Sequence, residues 1–585
     1  MIGGAALGPA YPTSLLPYDI LPSQNETSPH LRDFPFPSLR YNSPSLRTNQ
    51  LPVAATFHVR GQLMKRILFL HTSLLLCFVL FLPPAGAQLA PAKKDPLAPP
   101  QSAATAGCST SDSSSCAQAA AKLLPIIMGS SPMEENLRRL TDEIGGRVTG
   151  TPEMAKAVDW GVGAFRAAGV DVHTEKYSLP VTWSEGHTRL QLLGPITFPV
   201  RLKSEAWSPA TPAGGLEANV VDIGYGTDDD FAKAGSAVKG ALLLAYTDLG
   251  STWADLDAEY SRPPGIVAHA VKFGAAAILW IGAREHLLLY RHTNSFAGEL
   301  EKIPQAILAR EDGLRLARTV AAYPGKVRAH LDLPNRIGGH VDQFNVVGEI
   351  RGYEKPDEVV LLGAHLDSWE LGTGALDNGC NAALVIEAAR AIKATGILPR
   401  RTIRFVLFSG EEQGLLGSFG YVQSHRAELD KYRGVIVLDN GNGRITGFAL
   451  ARRPEMEPGL REILRPLESW GANFHTLALI SGTDELDFFL EGVPTLVTNQ
   501  EEANYLPNYH AASDTLDKVD IRELKLHTVI AALTAWGIAD RTEPLGKRLS
   551  RAELDKMMEE PALQQQMKSM GFWDLWHSGA RGRQP

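Results

Sequence analysis

Cysteine is scarce, with four residues in 585. That excludes a disulfide-built scaffold and a cysteine-rich multi-zinc protein. Charge of one sign is not in large excess either. Lys and Arg number 57 against 65 Asp and Glu, a net charge of −8, which argues against a broad non-specific nucleic-acid surface. Long apolar runs are lacking except for one near the N-terminus, so a multi-pass membrane protein is excluded. Glycine and proline do not dominate, and 44% hydrophobic with 21% charged residues is a globular composition. Sixteen histidines and many carboxylates remain available for metal chemistry. The length exceeds one ordinary domain and points to two or three.

The one long apolar run is Ile67–Leu82, preceded by Met64-Lys65-Arg66 and followed by Pro83, Pro84 and Ala85-Gly86-Ala87. A basic head, an apolar stretch and an A-x-A site predict a secretory signal over 64–87, cleaved after Ala87. A membrane anchor fits less well. The run has sixteen residues, interrupted by His71, Thr72 and Ser73, and a span needs about 20. Residues 1–63, rich in Pro, Ser and Asn, read as an upstream extension before a start at Met64. The expected location is secreted or periplasmic, with no stable membrane span after cleavage. Removing the first 87 residues would leave 498 with a net charge of −11. Cys108 and Cys116 could pair in an exported compartment, and Cys380 reads as a buried thiol.

Residues 88–130 read as a flexible linker. A helical pattern begins near Met133, and Thr151-Pro152-Glu153 is a strong helix start: a capping hydroxyl, proline in the first turn, then an acid. Residues 131–195 are expected to open a larger domain. Residues 196–335 read as a smaller inserted α+β domain, whose His269, His286 and His292 are expected to be structural or exposed. From 336 to 541 near-continuous apolar strands alternate with helices, which predicts an α/β fold with a mostly parallel, mixed sheet flanked by helices. Residues 542–585 form a tail rich in Met and aromatics. It is expected to pack back as a helix or two, or to serve as a dimer contact or pocket rim.

In such sheets ligands gather outside the carboxyl ends of the strands. Ionisable residues cluster at those ends here. His365 and Asp367 end one predicted strand, Asp377 follows in GTGALDNG, and Glu411 and Glu412 end the next in FSGEEQG. Asp439 ends VIVLDN, and His510 lies in PNYHAASDT. Imidazoles with several carboxylates suit a pair of zinc ions. Asp377, on a glycine-flanked turn, is the natural bridge. Asp367 is placed to orient His365. Adjacent Glu411 and Glu412 can divide into a general base and a metal ligand.

HLDSWELGTGALDNG, SGEEQGLLGS, VLDNG, SGTDELDFFLEGVP and YHAASDT together closely resemble the di-zinc exopeptidases of the aminopeptidase Y and carboxypeptidase Q type. The resemblance covers roughly residues 133–540 and includes an insert similar to a protease-associated domain. It implies the zinc-exopeptidase fold and two Zn2+ ions. One ion would be held by His365, Asp377 and Asp439, the other by Asp377, Glu412 and His510. Glu411 would be the general base, Asp367 the orienting carboxylate, and Tyr509 would polarise the scissile carbonyl. The Asp377–Asn378 bond is a candidate cis peptide, and Asp484 receives no role. The resemblance implies hydrolysis of short peptides or dipeptides with a free N-terminus, with a peptide as partner, and the tail leaves a homodimer as a further option. A carboxypeptidase is the main alternative. A glutaminyl cyclase-like relative or a non-catalytic receptor-like one fits less well, because no expected ligand is missing.

Overall fold

The computed structural model describes residues 115–480 and 482–584. The leader, the signal, Cys108 and most of the expected linker lie outside the described residues. The last part of that linker is corrected. Ser115–Met128 is a helix whose Cys116, Ala119, Ala120, Leu123 and Ile127 are buried in the main core. These residues repeat at helical spacing, so the Ser/Ala-rich sequence hides an amphipathic face. Cys116 is disulfide-bonded, and Cys380 is a buried free thiol.

The main sheet has seven strands. Its centre is four parallel strands in the spatial order Arg401–Phe408, Lys355–His365, Tyr432–Val437, Thr495–Gln500. Antiparallel strands flank them: Val341–Ile350 and then Asp171–Leu179 on one side, Ile445–Ala449 on the other. Val359 to His365 is buried throughout, as expected for a strand covered on both faces. Ser115–Met128, Pro152–Ala167, Cys380–Thr395 and Ile521–Asp540 pack on one face around the largest apolar core. Leu416–His425 and Glu485–Leu490 cover the other. The Thr151 side chain caps its helix by accepting from the Met154 amide, with Pro152 in the first turn.

A second seven-stranded sheet belongs to the insert. Three parallel pairings join Leu216–Asp222, Leu242–Tyr246, Ala277–Ile281 and Gln305–Leu308 at its centre. Apolar clusters lie on both of its faces. Its edge strand Arg189–Leu192 precedes residue 196, where the insert was expected to begin. The chain leaves and re-enters the main domain through a two-stranded ribbon, Trp183–Ser184 with Arg336–Ile337.

The tail forms helices Arg551–Met557, Pro561–Ser569 and Phe572–Ser578. Leu554, Met558, Leu563, Met567, Phe572 and Trp576 bury against Leu486, Phe489 and Leu490. Arg581 locks this contact with a bidentate pair to Asp487, at 2.7 and 2.8 Å. Among the described residues no helix is long and apolar enough to cross a membrane.

Candidate metal centre

The chain order places the site. After Lys355–His365 the chain crosses to Arg401–Phe408 on one side and then to Tyr432–Val437 on the other. That reversal opens a crevice at the carboxyl ends of the parallel strands. His365 is the last residue of its strand, and Glu411, Glu412 and Asp439 follow theirs within a few residues.

Asp377 sits on the turn Ala375–Gly379 that feeds helix Cys380–Thr395. Gly374 precedes it with φ 59°, and a Cβ there would fall 2.3 Å from the Ser368 side chain. Only glycine fits that close, left-handed position. The Asp377–Asn378 peptide is cis.

The expected ligands come together in two groups. His365 Nε2 lies 2.8 Å from Asp439 Oδ1 and 3.2 Å from Asp377 Oδ1. His510 Nε2 lies 3.0 Å from Glu412 Oε2 and 3.3 Å from Asp377 Oδ2. Asp377 therefore faces both histidines, one through each oxygen. The potential ligand atoms of each group, His365–Asp377–Asp439 and Asp377–Glu412–His510, lie within 4.8 Å of one another. Glu411 reaches a third such group with His365 and Glu412.

Asp367 does more than face the imidazole. Its carboxylate is 3.7 Å from His365 Nδ1, whereas its backbone oxygen is 3.0 Å away. The carboxylate accepts the backbone N–H of Glu411 at 3.3 Å, that of Glu412 at 3.4 Å and the Thr149 hydroxyl at 3.1 Å. It thus fixes the turn carrying both glutamates. Tyr509 stacks on His510 with ring centroids 3.7 Å apart. Asp484 is buried, with both carboxylate oxygens lacking a hydrogen-bond partner.

Sequence reasoning missed several supports. Arg147 is fully buried and donates to the backbone oxygens of Leu366, Thr373 and Gly374. Asp514 accepts backbone N–H groups from the Asp377 turn. It stands within the YHAASDT motif, which could have drawn attention to it. From the insert, the Arg291 amide donates to the His510 carbonyl at 3.0 Å, and Arg284 pairs with buried Glu259 at 3.2 Å. His292, expected to be structural or exposed, is buried with its ring 6.2 Å from that of His510. No local sequence period encodes these contacts between the insert and the main domain.

Burial pushes the carboxyl of Glu412 up to about 7 and that of Asp439 up to about 6. Burial also pushes Glu411 well up, reinforced by Asp439 and Glu412 against His365. Burial opposes charge on His510, but Glu412 and Asp377 outweigh it and raise it to about 9. Carboxylates outnumber the cations that could balance them. Glu412 Oε1 is buried without a hydrogen-bond partner, and Asp377 Oδ2 has only the His510 imidazole, 3.3 Å away. Such anionic oxygens beside imidazoles fit divalent cations, and this donor set suits zinc.

A cavity of about 700 Å3 opens over the cluster. Trp253, Leu256 and Phe296 of the insert, Leu477 and Leu479 of the main domain, and Leu563 and Met570 of the tail give it apolar walls. The tail therefore packs back and also rims the pocket.

A mixed α/β sheet with paired His and carboxylate clusters at its carboxyl edge, under an apolar cavity, defines a metal-dependent hydrolase. More particularly, residues 345–535 match the model of peptidase family M28, and the chain carries a domain of that family. It is 29% identical over 418 residues to carboxypeptidase Q of Mus musculus, covering 70% of this chain and 86% of the relative. A solved structure of a peptidase M28 precursor from Shewanella amazonensis is 28% identical, with a TM-score of 0.67, covering 74% of this chain and 99% of the other. The zinc aminopeptidase of Bacillus subtilis shares the fold, at 20% identity and a TM-score of 0.56 over 72% of this chain and 97% of the other. The chain is a metal-dependent exopeptidase.

Proposed function

We propose that this exopeptidase uses two zinc ions to hydrolyse short peptides or dipeptides with a free N-terminus. The observation that carries the free-amine reading is the charge of the cavity lining. Beyond the proposed metal ligands, the carboxylates of Asp257 and Glu411 face it, while its one arginine, Arg452, is ion-paired with Glu560. Such a lining offers carboxylates to an ammonium group and no unpaired arginine to a terminal carboxylate. A substrate panel tests this: free dipeptides and aminoacyl chromogens should be cleaved, and N-blocked peptides should not. Cleavage of N-blocked peptides with a free carboxylate would favour the carboxypeptidase reading instead.

In this reading His365, Asp377 and Asp439 hold one ion, and Asp377, Glu412 and His510 hold the other. When bound, the ions supply an acidified water and polarise the scissile carbonyl. Glu411 takes a proton from the attacking water on its carboxylate and delivers it to the leaving amine nitrogen. Asp367 keeps Glu411 in reach by holding its backbone. The Tyr509 hydroxyl donates to the carbonyl oxygen as negative charge develops there.

Export completes the reading. Its support is the basic-apolar-small pattern of residues 64–87. N-terminal sequencing of the native protein should find a mature chain beginning at Gln88. A chain retaining the apolar run would overturn this.

A further inference from the structure

The Tyr260 hydroxyl lies 2.5 Å from the Tyr509 hydroxyl. The two phenols come from different parts of the chain. Tyr260 lies in the last turn of the insert helix Trp253–Ser261, outside the family-matched residues 345–535. Tyr509 precedes the proposed ligand His510. Both line the cavity beside Asp377, Glu411, Glu412 and Asp439.

Neither ring is free to wander. Tyr260 meets His292 edge-on, with centroids 4.5 Å apart, and packs against Phe296 at 5.9 Å. Tyr509 stacks on His510, and its backbone oxygen accepts from Arg284 Nε at 3.4 Å. A phenol keeps its proton at neutral pH, its ordinary pKa being about 10. Each therefore has a hydrogen to give.

We propose that Tyr260 is a positioning residue for peptide hydrolysis, its hydroxyl donating to the Tyr509 oxygen so that the Tyr509 hydrogen turns toward the scissile carbonyl. This rests on the role given to Tyr509 above. A phenol hydrogen rotates about its C–O bond unless a second partner fixes it. A hydroxyl that already accepts a hydrogen bond is also the stronger donor, because linked hydrogen bonds polarise one another. The insert then completes the oxyanion donor as well as walling the cavity.

The test uses the full-length, metal-loaded protein and its Tyr260→Phe, Tyr509→Phe and double variants, with one free dipeptide as substrate. Loss of an oxyanion donor costs about a hundredfold in kcat, which is expected for Tyr509→Phe. Tyr260→Phe should lose about tenfold in kcat with KM within about twofold. The double variant should match Tyr509→Phe alone, because Tyr260 acts through Tyr509. A phosphonate analogue of the tetrahedral state should bind Tyr260→Phe more weakly by the factor lost in kcat/KM, while the product amino acid binds as before. Losses that multiply in the double variant, or a loss confined to KM, would overturn the proposal while leaving the role of Tyr509 intact. A Tyr509→Phe enzyme of normal kcat would remove both.

Discussion

Asp514 Oδ2 accepts the backbone N–H of Asp377 at 3.1 Å, while its Oδ1 takes those of Leu376 and Ala375 at 2.7 and 3.1 Å. Asp514 lies on the loop that carries His510. One carboxylate thus joins the turn of the proposed bridging ligand to the loop of a second ligand. Groups that support metal ligands from behind are typically worth about 10–100-fold in metal affinity. Asp514→Asn should therefore lower zinc affinity by about that factor, with activity restored by excess zinc. Metal content after dialysis and activity against free zinc concentration measure it. Wild-type metal retention would exclude the link.

Glu411 and Glu412 are adjacent, yet their surroundings divide them. Glu412 Oε2 is 3.0 Å from His510, inside a proposed ligand group. Glu411 shares the cavity lining but belongs to neither of the two proposed ligand groups. Glu411→Gln should keep both metals and lose about 10²–10⁴-fold in kcat, the span of general acid–base catalysis. Glu412→Gln should instead lose metal. Elemental analysis beside steady-state kinetics separates the two, and near-normal turnover by Glu411→Gln would reject its role as base.

The tail offers a stability prediction with a functional readout. Arg581 and Asp487 are 3% and 1% exposed in their side chains, and Asp487 also accepts the Ser418 hydroxyl at 3.1 Å. Removing one partner of a buried pair leaves an uncompensated charge and costs about 3–5 kcal/mol. Arg581→Leu should destabilise to that order in urea unfolding. It should also raise KM, because the Leu563 and Met570 wall is held by the same tail. An unchanged KM in a destabilised variant would separate the tail from the pocket.

The candidate site was readable where chemistry follows a buried strand. His365, Glu411, Glu412 and Asp439 each stand just past a run of apolar residues, and the parallel sheet brings those ends together. Tyr260 and Arg284 were not readable as site residues. They reach the centre through packing of the insert on the main domain, which leaves no local pattern. Ser115–Met128 was hidden for another reason: its small residues look like a linker until their helical spacing is set against a core. Asp514 was visible as a letter in a motif, but its work is done on backbone amides far away in sequence.

Acid should unfold the protein partly through buried neutral histidines. His527 lies inside the helix Ile521–Asp540 and is fully buried, 3.7 Å from Glu523. Burial pushes it down to about 3 from 6.5, and burial takes His292 and His475 down to about 4. The sign follows from proton uptake. Between pH 6.5 and these lowered values the unfolded chain binds protons that the folded chain refuses, so stability falls as pH falls. From pH 7 to pH 5 His527 alone should account for about 2 kcal/mol of the decline. His527→Gln removes the titrating group, so its unfolding free energy should fall less steeply over that range, whatever its value at pH 7. Parallel slopes for the variant and the wild type would show that His527 takes up its proton equally in both states.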